Sequence, residues 1–198
     1  MADISGWSYD IHYFTGQLRS FIKLKSFYKN WGVASHEHCL EFPCDRYGDY
    51  FSDTWFRGIT IHVESEIIFQ WICQMRVAPY SYDWIDNFCR KSPQILIPGV
   101  DQLEIGQKIM TIFDLIDFEP NKHLTFRLNK KIPKIFGDTI ISYMIIQKKS
   151  HFCRLLVKIL VNYPKGLSGA FLQYILSFGD LVMMRRQMIN FKILCEQA

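Results

Sequence analysis

One stretch limits this chain more than any other: the closing segment from about Ser168 to Glu196, where Phe171, Ile175, Phe178, Val182, Ile189 and Ile193 recur at helical spacing. That spacing predicts one long helix with an apolar stripe, and such a stripe needs a large apolar surface to lie on. The preceding two-thirds of the chain supplies strand-like segments and few rival long helices, so a curved antiparallel sheet is the expected partner. A sheet wrapped round one helix leaves a cavity between them. A second apolar side of the helix, made by Leu181, Met184, Met188 and Phe191, calls for another cover. The segment from Tyr13 to Trp31 is helix-compatible and offers one, with Phe14, Leu18, Phe21, Ile22 and Tyr28 opposite Arg19, Lys23, Ser26 and Asn30. A basic amphipathic helix of this kind can instead make a peripheral contact with an anionic membrane.

The strands follow from alternation. Gly58 to Val63 sets Ile59, Ile61 and Val63 against Thr60 and His62, the period of a half-buried strand. Ser65 is the expected cap of a short helix carrying Ile68, Trp71, Ile72 and Met75, which Pro79 ends, and a second short helix is expected over Asp83 to Cys89. Further strands are predicted at Lys108 to Phe118, His123 to Leu128, Asp138 to Gln147 and His151 to Val161, with Pro120-Asn121 and Lys148 to Ser150 as tight links. In the last strand Arg154 and Lys158 share the side opposite Cys153, Leu155, Val157 and Ile159, which predicts a solvated face.

With 198 residues, 49% of them hydrophobic and 16% aromatic, the chain can bury one sizeable core. We therefore expect a helical extension and connector over 1–53 and one domain over 54–198. The net charge of +4 is mild and its Lys and Arg residues are scattered, so nucleic acid is not an expected partner. Six cysteines without a CxxC pair, and a polar start that does not read as a signal peptide, point to reduced thiols and a cytoplasmic location. The apolar runs from Thr139 to Val161 and Ala170 to Met184 are broken by charges, so no transmembrane segment is expected. His36, His38, Cys39 and Cys44 lie within nine positions, but three of the four are nearly adjacent, unlike the separated pairs that close round zinc. No metal site and no cofactor are expected, and no nucleophile elbow, phosphate loop or HExxH is present.

The order of strand, two short helices, antiparallel strands and long helix resembles the helix-grip fold of the SRPBCC superfamily, which includes START and Bet v 1-like proteins. The residues carrying the resemblance are Gly58 to Val63, Trp71-Ile72-x-Gln74-Met75, the run Tyr80-Ser81-Tyr82-Asp83-Trp84-Ile85-Asp86-Asn87, Ser92-Pro93, Leu103-x-x-Gly106, Arg154-Leu155, and Asp180 with Met183 to Arg186. They are most similar to the bacterial polyketide cyclase/dehydrase-like branch, where a short loop with a Pro-x-Asp step, here Pro43-Cys44-Asp45, precedes the first strand. The resemblance implies an α+β helix-grip fold with a ligand cavity between sheet and C-terminal helix.

Such a cavity should be mostly apolar with a few orienting polar groups. By pattern the candidate ligand-binding residues are Trp71, Gln74, Tyr82, Trp84, Phe113, Tyr143, Tyr174, Phe178 and Arg185, and the candidate catalytic groups are Tyr82 and Asp83. His123 and Arg127 share a strand face opposite Leu124, Phe126 and Leu128, which predicts that they face solvent. The leading expectation is binding of a small hydrophobic molecule such as a lipid, isoprenoid or polyketide. The alternatives are a cofactor-free cyclase or dehydratase working by acid/base catalysis, and a protein-interaction module.

Overall fold

The computed structural model describes residues 28–48, 50–132, 137–163 and 167–197, and among 167–174 the side chain of Gln173 alone. The expected helix from Tyr13 falls outside the described residues except at its end, where Tyr28 and Lys29 are helical and Asn30–Trp31 form a short strand, β1, instead of continuing the helix. After two single-turn 3-10 helices at Ser35–Cys39 and Pro43–Tyr47 come β2 (Asp53–Ile61), α1 (Ser65–Cys73), α2 (Asp83–Asp86), β3 (Lys108–Ile109), β4 (Phe113–Glu119), β5 (His123–Leu128), β6 (Asp138–Lys149), β7 (Phe152–Asn162) and α3 (Leu167–Glu196). The strands make one curved, unclosed sheet in the order β1-β2-β7-β6-β5-β4-β3, antiparallel except where β1 lies parallel to β2. With α3 in its concave face, this is the α+β helix-grip fold.

Three boundaries differ from expectation for local reasons. The predicted strand from Lys108 is a hairpin, because Met110 and Thr111 take left-handed φ values of 46° and 67° and fold β3 back on β4. Ser65 is not a cap: the N-cap is Glu64, and the Ser65 hydroxyl donates to Gln147 Oε1 at 3.2 Å. The strand expected from Gly58 starts five residues earlier at Asp53, which carries Asp53, Trp55 and Arg57 onto the concave side with Ile61.

The largest correction concerns the rotation of α3. Ile175, Phe178, Val182 and Ile193, the stripe expected against the sheet, are exposed, whereas Leu181, Met184, Met188 and Phe191 are buried, the last three in the main core. The helix is apolar on most of its circumference, so periodicity alone could not choose the inner side. Its buried side also carries Ser177 and Gln187, polar residues that disguise it in the sequence. Tyr28 stands edge-on against Phe178, ring centroids 6.4 Å apart, on the outward side.

The convex face of the sheet is covered as well. Phe42 and Cys44 of the connector pack on Ile140, Leu156 and Leu160, and burial pushes the Cys44 thiol up to about 12. Arg154 and Lys158, expected on a wet face, are largely buried and pair with Glu37 and Asp45 of the connector. His123 is likewise buried, its Nε2 3.5 Å from Asp117, while Arg127 binds Asp138 and Tyr50. His38 stacks edge-on against Phe56, 4.5 Å between centroids, and Cys39 is exposed. No cluster of three metal-ligating side chains occurs among the described residues.

Candidate ligand cavity

The two ends of the space between sheet and α3 are built differently. At the end toward the C-terminus of α3 the space is filled by rings: Trp71 meets Tyr80 at 6.2 Å, Tyr80 meets Phe191 at 5.4 Å, Phe113 meets Phe126 at 5.2 Å and Phe126 meets Tyr143 at 5.5 Å. Some polar atoms there are paired, while Trp71 Nε1 and the Tyr80 hydroxyl are buried without a partner among the described residues. The Tyr143 hydroxyl donates to Gln187 Oε1, and Gln187 Nε2 donates to the Pro79 carbonyl at 2.5 Å. Full burial, with Asp180 adding to it, holds the Tyr143 phenol well above its ordinary pKa.

Toward the start of α3 the inner side of β2 is polar. The period of two places Asp53, Trp55 and Arg57 opposite Gln173, Ser177 and Asp180 on one helix face. Arg57 is 0% exposed; its Nη2 donates to Asp180 at 2.8 Å and its Nη1 to the Lys29 and Phe56 carbonyls at 2.7 and 3.0 Å. Asp53 accepts from Lys29, from Trp55 Nε1 at 3.2 Å and from Gln173 Nε2 at 3.1 Å. Burial pushes the Asp180 carboxyl up to about 6, against the opposing pull of Arg57.

Two buried groups here have no hydrogen-bond partner among the described residues: Arg57 Nε and the Tyr163 hydroxyl. Burial, then Asp53 and Asp180, raise the Tyr163 phenol above its usual pKa, so at neutral pH it keeps its proton and can donate a hydrogen bond. Its ring leans on Trp55 at 6.4 Å and also forms a wall of a cavity of about 430 Å³. Leu128, Asn129, Ile132, Gly137 and Asn162 are further walls, with Arg127, Lys130 and Asp138 completing them. Gly137, at φ 72°, closes the wall tightly: a Cβ there would stand 2.1 Å from the Asn162 carbonyl oxygen.

The residues expected in the site are dispersed. Trp71, Phe113 and Tyr143 meet in the filled end. Gln74 is wholly buried but turned to the following loop, donating to Ile95 O at 2.7 Å and accepting from Ile97 N at 3.3 Å. Tyr82, Asp83 and Trp84 come together in a separate cleft of about 350 Å³ beside Arg186 and Asn190. There both Asp83 oxygens are engaged by Ser92, at 2.9 Å from its N–H and 2.5 Å from its hydroxyl. Phe178 lies on the outward face of α3, Arg185 sits 5.7 Å over the Trp31 ring, and the Tyr174 side chain lies outside the described residues. Asp53, Arg57, Leu128 and Tyr163 were not anticipated. Arg57 had a signal, since it shares parity with Ile59 and Ile61.

No family model matches the sequence, and no curated protein matches it. Solved structures do resemble it in chain trace. A Mesorhizobium loti protein is 10% identical with a TM-score of 0.43, covering 74% of this chain and 98% of its own. A Thalictrum flavum norcoclaurine synthase mutant is 8% identical with a TM-score of 0.43, covering 73% and 94%. The di-domain ARO/CYC protein BexL is 8% identical with a TM-score of 0.46, covering 73% of this chain and 46% of its own.

Proposed function

We propose that this protein holds a small hydrophobic molecule carrying a hydrogen-bond acceptor, of lipid, isoprenoid or polyketide-like character, in the cavity walled by Tyr163, Leu128 and Ile132 at the β5–β6 end of the sheet. One observation carries the reading: the buried Tyr163 hydroxyl, on a ring that walls the cavity with Leu128 and Ile132, lacks an acceptor among the described residues. A buried donor left unpaired costs about 1–3 kcal/mol, so a carbonyl, hydroxyl or carboxylate that reaches it gains on binding. The volume of about 430 Å³ falls in the range of roughly 300–1,000 Å³ that small-molecule sites occupy. Apolar contact would supply most of the affinity, at about 25 cal/mol per Å² removed from water. Four of the six cysteines, Cys44, Cys73, Cys153 and Cys195, are buried as free thiols, which suits a cytoplasmic carrier.

Native mass spectrometry of protein purified from its own host tests this directly, and a retained small molecule is expected. In parallel, a panel of fatty acids, isoprenoid alcohols and aromatic polyketides should raise the melting temperature of the wild type and not of Leu128→Trp, whose ring fills the cavity. Absence of both the retained molecule and any shift across the panel would overturn the proposal.

A further inference from the structure

The loop through α2 is turned inside out relative to an ordinary surface helix. Its carboxylates face inward: Asp83 is held by Ser92, and Asp86 accepts from the Ser81 hydroxyl, with burial pushing the Asp86 carboxyl up. Its apolar side chains face water, with Trp84 70%, Ile85 53% and Phe88 86% exposed. Surface turns place polar side chains outward by default, so large rings this exposed mark a contact surface.

The backbone holds this presentation in place. Ile85 N and Asp86 N donate to Tyr82 O at 2.8 and 3.2 Å, Cys89 N donates to Asp83 O at 2.9 Å, and Arg90 N donates to Asn87 O at 2.9 Å. Phe88 and Cys89 both adopt left-handed φ values, 50° and 61°. For a bulky residue that conformation is unfavourable, and it persists only where the surroundings impose it. The chain is thus held in a strained turn whose visible consequence is an outward phenylalanine. Arg90 and Lys91, both exposed, follow at once, and a second apolar tract, Ile95 to Ile97, continues the surface under the anchorage of Gln74.

We propose that this loop is a docking surface for an anionic lipid membrane, with Trp84, Ile85 and Phe88 entering the interface and Arg90 and Lys91 pairing with lipid phosphates. The charge arrangement selects this occupant. The acidic groups of the segment are withdrawn and hydrogen-bonded while its two cations are displayed beside aromatic rings, the combination that recognises anionic headgroups above acyl chains. The side chains project individually, which suits insertion into a fluid layer that adapts to them. The proposal goes beyond the ligand reading and does not rest on it.

Vesicle co-sedimentation with the full chain tests it, using phosphatidylcholine vesicles with and without phosphatidylserine. The wild type should partition onto the phosphatidylserine vesicles, and Trp84→Ala/Phe88→Ala should lower that partition by about ten-fold or more at unchanged melting temperature. Arg90→Glu/Lys91→Glu should abolish the preference for phosphatidylserine. Brominated acyl chains should quench tryptophan emission in the wild type, and Trp84→Phe should remove that quenching. Equal partition of the Trp84→Ala/Phe88→Ala variant, no partition of the wild type, or a soluble protein partner that occupies the same loop and blocks the vesicles would overturn the proposal.

Discussion

Two arginines leave the sheet on opposite faces and end in different company. Arg154, on the convex side, meets Glu37 through two oxygens at 2.8 and 2.7 Å, and its remaining donors reach Thr60 Oγ1 at 3.1 Å and Gly32 O at 2.7 Å. Glycine at position 58 leaves room for this fork: a Cβ there would stand 2.8 Å from both Arg154 Nη2 and Gly32 O. Arg57, on the concave side, has one carboxylate oxygen, two backbone carbonyls and an Nε with no partner among the described residues. A saturated bidentate pair fixes a connector to a sheet. Arg57 keeps one donor, Nε, without a partner among the described residues, and that difference separates the saturated arginine from the unsaturated one.

The largest effect should come from breaking the saturated pair. Glu37 is 2% exposed, so Glu37→Ala leaves the largely buried Arg154 guanidinium without its counter-charge and should cost about 3–4 kcal/mol in urea unfolding. Asp180→Ala should cost less, about 2–3 kcal/mol, because it removes one charged bond from Arg57 where Glu37→Ala removes two from Arg154. The comparison breaks if the order is reversed.

Acid titration sharpens it, because the two carboxylates are shifted in opposite directions. Burial by itself would raise Glu37, but the bonds from Arg154 and from Ala34 N–H prevail and hold it below 4.5. Its contribution to stability is therefore complete above pH 4.5 and is lost as pH falls through the folded value. Asp180 is raised from 3.8 to about 6, so its contribution is complete below pH 3.8 and is lost as pH rises through about 6. Glu37→Gln should flatten the acid limb of the stability profile, and Asp180→Asn should remove the decline between pH 4 and 6. Identical slopes in both variants would show that the two faces do not differ electrostatically.

The fold was legible in the sequence because the period-two segments from His123 onward and the closing helix carry strong local signals; β5 spans His123–Leu128 as expected. The inner side of α3 was not legible, since Ser177, Asp180 and Gln187 lie on its inward side and their partners, Arg57, Tyr143 and Pro79, are distant in the chain. Polar residues on a buried face look like surface until those partners are known. The candidate site was hidden for the same reason: Tyr163 follows β7 in a segment with no motif, and its burial depends on Trp55, more than a hundred residues earlier.

The smallest change in stability should carry the clearest information about function. Tyr163→Phe removes one buried hydroxyl with no partner among the described residues and leaves the ring on Trp55 and the cavity wall. If that hydroxyl is held in readiness for a ligand acceptor, its loss relieves a desolvation cost, and the variant should be as stable as the wild type or up to about 1 kcal/mol more stable. Retention of the co-purifying molecule should meanwhile weaken, by about five- to ten-fold for one hydrogen bond. Displacement of a fluorescent apolar probe, 1-anilinonaphthalene-8-sulfonate, reports on the cavity independently, since its binding should survive the substitution and be lost in Leu128→Trp. A loss of about 1 kcal/mol with retention unchanged would assign the hydroxyl to a structural bond. Arg57 and Arg154 would then differ only in how completely the chain itself satisfies them.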